Sequence, residues 1–503
     1  MTNVLVYLEQ SAQMHPEKTA VLDPETRYTY AQLMQQSQRI GSALSAVGCI
    51  RKPVAVLMNK SSQALSALLG VVYAGGFYVF ISPEQPVHRI NQILEITSAV
   101  CLVTDQPEKV AEVTYSGVVL DYQTATAAEV DEAVLAAIRA QALDIDPLYC
   151  NFTSGSTGVP KGVVVCHRSV IDFISVFPEL FGITERDVIG NQAPFDFDVS
   201  VKDIYSALKM GATLVVIPKK MFSVVTQLLD YLCDNHVTTL IWAVSALCLI
   251  VQFKGLTYKV PTSVNKILFS GEMMPVKYLH LWQSALPRAT FVNLYGPTEI
   301  TCNCTYYRVD RAFAPEEQLP IGRPFPNETV FLLDDNDQLV TEPGVSGELC
   351  VSGTALAMGY FNNPEQTHKA FVQNPLNKSY LELIYRTGDL AFYSANGELY
   401  FGGRKDFQIK YMGHRIELEE IETVLNSFSQ VDRACCVFDT AKNRLIAFYC
   451  GTADPKELKK SLYDVLPEYM IPSLFRQMPE LPLTPNGKIN RKLLLETDGA
   501  HHG

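Results

Sequence analysis

The densest chemistry in the chain lies at Thr153-Ser154-Gly155-Ser156-Thr157-Gly158-Val159-Pro160-Lys161-Gly162. The glycines let backbone N–H groups approach an anion closely, four hydroxyls add donors, and Lys161 adds a positive charge. That combination suits a polyphosphate, although the same string alone also reads as a surface turn. It is not a Walker P-loop, because the Lys-Ser/Thr pair that closes such a loop is missing, and a P-loop kinase is excluded on spacing.

Three further strings could act on the same ligand. Asn293-Leu294-Tyr295-Gly296-Pro297-Thr298-Glu299 follows an apolar run, so Tyr295 at a strand end offers a flat face to a base and Glu299 a carboxylate to Mg²⁺. Alone, it is a turn with a capping role. Tyr385-Arg386-Thr387-Gly388-Asp389-Leu390 sets a carboxylate after a glycine turn, suited to ribose hydroxyls or to a helix cap. Asn486-Gly487 makes a tight turn that presents Lys488 at its tip.

The elements that must position these residues follow from hydrophobic patterning. Short apolar runs at 53–58, 213–217, 238–244, 266–269 and 290–294 alternate with helical patterns, and several stop at Gly or Ser before a helix. That is the α/β pattern of parallel sheets covered on both faces, with ligands at the carboxyl ends of the strands. From residue 397 onward the character changes to a small α+β pattern, and a boundary is placed at 405/406: a large N-terminal domain of stacked α/β sheets, 1–405, and a small mobile C-terminal domain, 406–503. The tail from 498 is expected to be disordered.

Composition narrows the class. The chain has 503 residues, 48% hydrophobic and 19% charged, which fits a globular enzyme with more than one core. A net charge of -12 repels phosphate backbones, so nucleic acid is not an expected partner. Twelve scattered cysteines with no Cys-x-x-Cys pair read as reduced thiols in a cytoplasmic protein. Glu9 sits where a signal peptide would be basic then apolar. The uncharged stretch 64–81 is broken by Gly75-Gly76 and reads as a buried helix turning into a buried strand, not a membrane span.

Taken in this order, the four strings resemble the adenylate-forming superfamily: acyl-CoA synthetases, luciferases and adenylation domains of nonribosomal peptide synthetases. Residues 28–33, 74–79, 347–360, 403–406 and 466–472 complete the similarity over nearly the whole chain, although Phe80 and Ser82 replace the usual proline and aspartate. The resemblance implies an AMP-forming ligase that uses ATP and Mg²⁺. It implies that Thr153, Ser154, Gly155, Ser156, Thr157 and Lys161 close on the β- and γ-phosphates, and that Asn293 and Tyr295 hold adenine. Thr298 would contact the α-phosphate, Glu299 the metal and Asp389 the ribose, with Arg404 near it. Asp406 would be the hinge, and Lys488 would bridge carboxylate and α-phosphate.

Within that superfamily, Phe197-Asp198-Val199-Ser200 is similar to the amino-acid-activating branch, where Asp198 would hold the substrate's α-ammonium; a helix-cap role is the alternative. The resemblance places Val199, Lys202, Ile241, Leu268, Ser270, Leu294, Cys302 and Asn303 around the acyl group. Lys202 departs from the commoner uncharged residue and could pair with Asp196 or Asp203, face a polar substrate group, or neutralise Asp198. The bulk of Ile241, Leu268 and Leu294 implies a shallow or slot-like pocket for a short neutral amino acid or a flat aryl amino acid such as an aminobenzoate. No carrier segment follows Lys488, so a free-standing monomer that loads a separate phosphopantetheinylated carrier protein in trans is expected. A D-alanine–carrier protein ligase is the close competitor. An acyl- or aryl-CoA ligase is the second reading, and a non-enzymatic nucleotide-binding protein the third.

Overall fold

The computed structural model describes residues 1–155, 159–440, 442–483 and 489–500, with 499 and 500 described by backbone alone. Ser156, Thr157 and Lys488 therefore lie outside the described residues.

The apolar runs form strands because both of their faces are covered. Val54, Ala55, Val56 and Leu57 of the strand Pro53–Leu57 are each 0% exposed. That strand belongs to a seven-stranded sheet, parallel to Phe77–Ile81 and Cys101–Thr104. Between the first two strands runs the helix Ser62–Tyr73. Gly75, at φ +75, then reverses the chain where a Cβ would stand 2.8 Å from Ile138 Cγ2. The uncharged stretch 64–81 is this helix, turn and strand.

A second, nine-stranded sheet carries the other runs: Val188–Asn191, Thr213–Val216, Thr239–Ala243, Lys266–Ser270 and Thr290–Tyr295 are parallel neighbours within it. One continuous apolar core links the two sheets, and a second fills the outer face of the larger one. An antiparallel third sheet includes Ser346–Gly353, Leu383–Tyr393 and Leu399–Arg404. Among the described residues, no helix is long and apolar enough to cross a membrane.

The C-terminal part has its own core. Ile416, Leu418, Ile421, Leu425, Leu462 and Met470 pack together, and every residue of this cluster comes from 409 onward. At ~1.5–3 kcal/mol per fully buried aliphatic side chain, such a cluster supplies a cohesion of its own. Its contacts with the large part include Arg89–Glu420 at 2.9 Å, Arg415–Glu299 at 2.6 Å, Gly413 N to Glu272 Oε1 at 2.7 Å and the His414 ring edge-on to Phe197 at 4.6 Å.

Candidate active site

Thr153 ends the strand Pro147–Thr153, which pairs antiparallel with Lys161–Cys166, so Thr153 and Lys161 face each other across the mouth of the loop. Gly155 is required there, because a Cβ would fall 2.0 Å from Val159 O. The loop's donors meet carboxylates of the C-terminal part. Gly155 N donates to Glu420 Oε2 at 3.0 Å and Lys161 Nζ reaches Glu417 Oε1 at 3.4 Å. Ser154 Oγ donates to Arg415 O at 2.8 Å and accepts from Glu417 N at 3.1 Å. Groups suited to an anion are thus facing anions.

The turn after Thr290–Tyr295 is tight. A Cβ on Gly296 would lie 2.4 Å from Asn303 Cα, and Thr301 and Cys302 take positive φ of 51° and 80°. Left-handed backbone at non-glycine residues costs on the order of 1–3 kcal/mol each and collects at functional sites. Here it brings Thr298, Glu299, Cys302 and Asn303 into one turn. Glu299 is 0% exposed; Tyr360 Oη donates to its Oε1 at 2.7 Å and Arg415 Nη1 to its Oε2 at 2.6 Å. Burial opposes its ionisation, but Arg415, the Tyr360 hydroxyl and Lys161 outweigh it and hold the carboxyl below its ordinary value.

Asp389 lies inside a strand, so it caps no helix. Its carboxylate takes the Tyr295 hydroxyl on one oxygen and Arg404 Nη1 at 2.5 Å on the other. Arg404 also grips Asp406 through Nε at 2.5 Å and Nη2 at 2.6 Å. Asn293 Nδ2 donates to Pro320 O at 2.8 Å. Lys410, from the hairpin strands Gln408–Tyr411 and His414–Glu417, stands 5.1 Å from the centre of the Tyr295 ring. Burial pushes its ammonium pKa down, against the pull of Asp389.

Asp198 occupies the position before the helix Val199–Met210 but makes no side-chain cap bond, so the capping alternative is not taken up. Burial raises its pKa, opposed by Lys202 and by the Thr298 hydroxyl. The loop leading to it is braced by Lys60, whose Nζ donates to Asn191 O at 3.3 Å, Gln192 O at 2.9 Å and Ala193 O at 3.4 Å. Burial brings Lys60 down to about 7.

Next to Asp198 lies a cavity of about 70 Å³ bordered by Val199, Ser270, Cys302 and Asn303. It joins a groove of about 2170 Å³ between the two parts of the chain, which Leu294, Tyr295, Asp389 and Lys410 border. Three residues expected in the acyl-pocket wall, Ile241, Leu268 and Lys202, border neither space. Ile241 and Leu268, each 1% exposed, are packed into the core. Lys202, 0% exposed, pairs with neither Asp196 nor Asp203; its Nζ donates to Asn303 Oδ1 at 2.6 Å. Asp203 instead accepts from Asn191 Nδ2 at 2.7 Å.

Sequence reading missed Lys60, Tyr360, Lys410, Arg415, Glu417 and Glu420. Tyr360 ends the 347–360 string, and Glu417 and Glu420 lie in an acidic run at the start of a helical pattern, but the sequence reading gives none of the six a role in the site. Among the described residues, no group of three or more His, Cys, Asp or Glu could hold a metal ion. Glu299 alone fits Mg²⁺, which takes one or two carboxylates and otherwise phosphate oxygens and water. For that, Arg415 must leave its second oxygen.

Two family models match the chain: the AMP-binding enzyme over residues 8–361 and the AMP-binding enzyme C-terminal domain over residues 420–488. Tyrocidine synthase 1 of Brevibacillus parabrevis is 34% identical over 500 residues, which is 97% of this chain and 44% of that protein. The chain spans less than half the length of the curated relatives it matches. The crystal structure of IdnL1 matches with a TM-score of 0.82 and 29% identity, covering 96% of this chain and 99% of the other. An artificially fused adenylation–PCP di-domain NRPS from Klebsiella oxytoca, NpsA-ThdA, matches with a TM-score of 0.80 and 25% identity, covering 94% and 93%.

Proposed function

The chain belongs to the AMP-binding enzyme family, and from that premise we propose that it activates the carboxylate of a small amino acid as aminoacyl-AMP and passes the acyl group to a carrier protein's phosphopantetheine thiol. The observation that carries the amino-acid reading is Asp198, a buried carboxylate released from helix capping and set beside the acyl cavity. A buried anion without such a task is costly, and an α-ammonium is its natural partner.

In the first half-reaction a carboxylate oxygen attacks the α-phosphorus of ATP and pyrophosphate leaves. Negative charge builds on the phosphate oxygens, so fixed cations and donors lower the barrier. Lys161 and the 153–161 loop hold the β- and γ-phosphates, Tyr295 and Asn293 the adenine, Asp389 and Arg404 the ribose, and Thr298 the α-phosphate. Glu299 would hold Mg²⁺, which when bound offsets phosphate charge. Lys488 bridges the attacking carboxylate and the α-phosphate. In the second half-reaction a thiolate attacks the acyl carbon and AMP leaves; Lys410, whose ammonium lies 5.1 Å from the centre of the Tyr295 ring, would offset charge on the departing AMP. The adenylation–PCP pairing in NpsA-ThdA supports a carrier as acceptor. The 405/406 boundary agrees with a core built only from residues 409 onward.

The test is ATP–pyrophosphate exchange with alanine, serine, 2-aminobenzoate, tryptophan, arginine and benzoate, followed by transfer to a holo-carrier or to CoA. Exchange with a small or flat amino acid is expected, with tryptophan and arginine excluded by volume. Strong activation of benzoate would remove the amine role of Asp198, and preferred transfer to CoA would remove the carrier.

A further inference from the structure

Lys202 is sealed from solvent, and among the described residues its ammonium has one hydrogen-bond partner, Asn303, which borders the acyl cavity. Lys202 Nζ donates to Asn303 Oδ1 at 2.6 Å, and both side chains are buried. An ammonium has donors only, so the carboxamide must turn its oxygen toward Lys202 and its NH2 away. Asn303 borders the cavity beside Asp198, and among the described residues its Nδ2 meets no acceptor. It is also absent from the sealed, unpartnered polar atoms of the interior. Ser270 Oγ is in the same situation: it borders the cavity, meets no protein partner among the described residues, and is not sealed.

We infer that Lys202 locks the Asn303 carboxamide so that its NH2 donates into the acyl cavity, and that the enzyme selects an amino acid whose short side chain carries a hydrogen-bond acceptor. This rests on the amino-acid role of Asp198 proposed above. A hydrocarbon side chain of equal size would leave Asn303 Nδ2 and Ser270 Oγ unpaired in a cavity of about 70 Å³ that it would fill. A neutral hydroxyl or carboxamide and a carboxylate share the acceptor chemistry. Lys202 acts through Asn303 and is a positioning residue; it does not touch the substrate.

The experiment is pyrophosphate exchange by the full chain with near-isosteric pairs: serine against 2-aminobutyrate, and asparagine and aspartate against leucine. The acceptor-bearing member is expected to lead by about 10- to 100-fold in kcat/KM. Lys202→Met frees the carboxamide to rotate and should bring that ratio to within a few-fold of one, while Lys202→Arg, a donor-only cation, keeps it. Asn303→Asp, with Lys202 in place, puts an oxygen where the NH2 stands and should also abolish the ratio; it decides the matter if Lys202→Met fails to fold. Aspartate ahead of asparagine assigns the acceptor as a carboxylate, and the reverse as a neutral group. Equal use of both members of each pair by the unaltered enzyme overturns the inference but spares the role of Asp198. An unchanged ratio in folded Lys202→Met overturns the lock. No exchange with any amino acid, alongside exchange with another acid, fells the amino-acid reading itself.

Discussion

Two buried carboxylates show how neighbours decide what a residue does. Glu299 is held ionised by Arg415 and Tyr360, as a group that must meet a cation requires. Glu328, 9% exposed, has no such cation among the described residues. It accepts one bond from Ala355 N at 3.1 Å, its Oε2 is sealed without a partner, and burial, with Asp172 nearby, lifts it to about 8. Its folded pKa is raised above the unfolded value of ~4.3. Between roughly pH 4.3 and 8 the folded protein therefore keeps a proton that the unfolded chain has lost. Stability from this group is full below that window and falls as pH rises through it. Glu328→Gln removes the term, so its stability relative to the unaltered chain should improve from pH 5.5 to pH 8.5, by on the order of a few kcal/mol. Urea unfolding at both pH values checks this; parallel pH profiles would refute it.

The hairpin formed by Gln408–Tyr411 and His414–Glu417, with the helix Leu418–Asn426 behind it, is the element that closes the site. Its carboxylates Glu417 and Glu420 sit on Lys161 and on the Gly155 amide, where phosphate oxygens are proposed to bind. Two anions cannot share those donors, so the hairpin and the ATP phosphates compete. Replacing the carboxylates weakens one competitor. Glu417→Gln and Glu420→Gln should each lower the apparent KM for ATP in pyrophosphate exchange, by ~3- to 10-fold for a partly buried pair worth about 1 kcal/mol. Glu420 also pairs with Arg89, both nearly sealed from solvent, so Tm should fall in that variant. A KM for ATP that stays fixed in both variants would show that the loop's donors have another purpose.

At the scale of the whole molecule, the proposed two-step mechanism requires the small part to occupy more than one position. In the arrangement described, Arg415 engages Glu299 and the hairpin fills the phosphate loop, which suits the step after pyrophosphate has gone. Under that mechanism the first step would require those groups to be released and would use Lys488 at the carboxylate. Asp406, tied to Arg404 at the junction, is the proposed pivot. Proline there fixes φ, so Asp406→Pro should preserve adenylation in pyrophosphate exchange and depress carrier loading. Lys488→Ala should do the reverse, abolishing exchange while sparing transfer from pre-formed aminoacyl-AMP. Equal losses in both half-reactions for either variant would refute the assigned division of labour.

The α/β class and the phosphate-loop, Tyr295, Glu299 and Asp389 strings were legible in the sequence because each is local. Glycine spacing, hydroxyl content and the buried runs that precede them are properties of a few adjacent residues. What contacts those residues was not legible, because it comes from packing between distant segments. In the sequence Asp198 reads as the α-ammonium partner with a helix cap as the alternative, and only the backbone shows that no cap bond is made. Lys202 had three candidate partners close in sequence, and the one it takes, Asn303, is 101 residues away. Arg415 reaches Glu299 across 116 residues, and Glu420 reaches Gly155 across 265. Ile241 and Leu268 look like pocket walls in the sequence, yet the strands that carry them turn those side chains into the core. Local strings determine which groups are available for chemistry; only close packing of the sheets and the small part against them decides which of those groups meet.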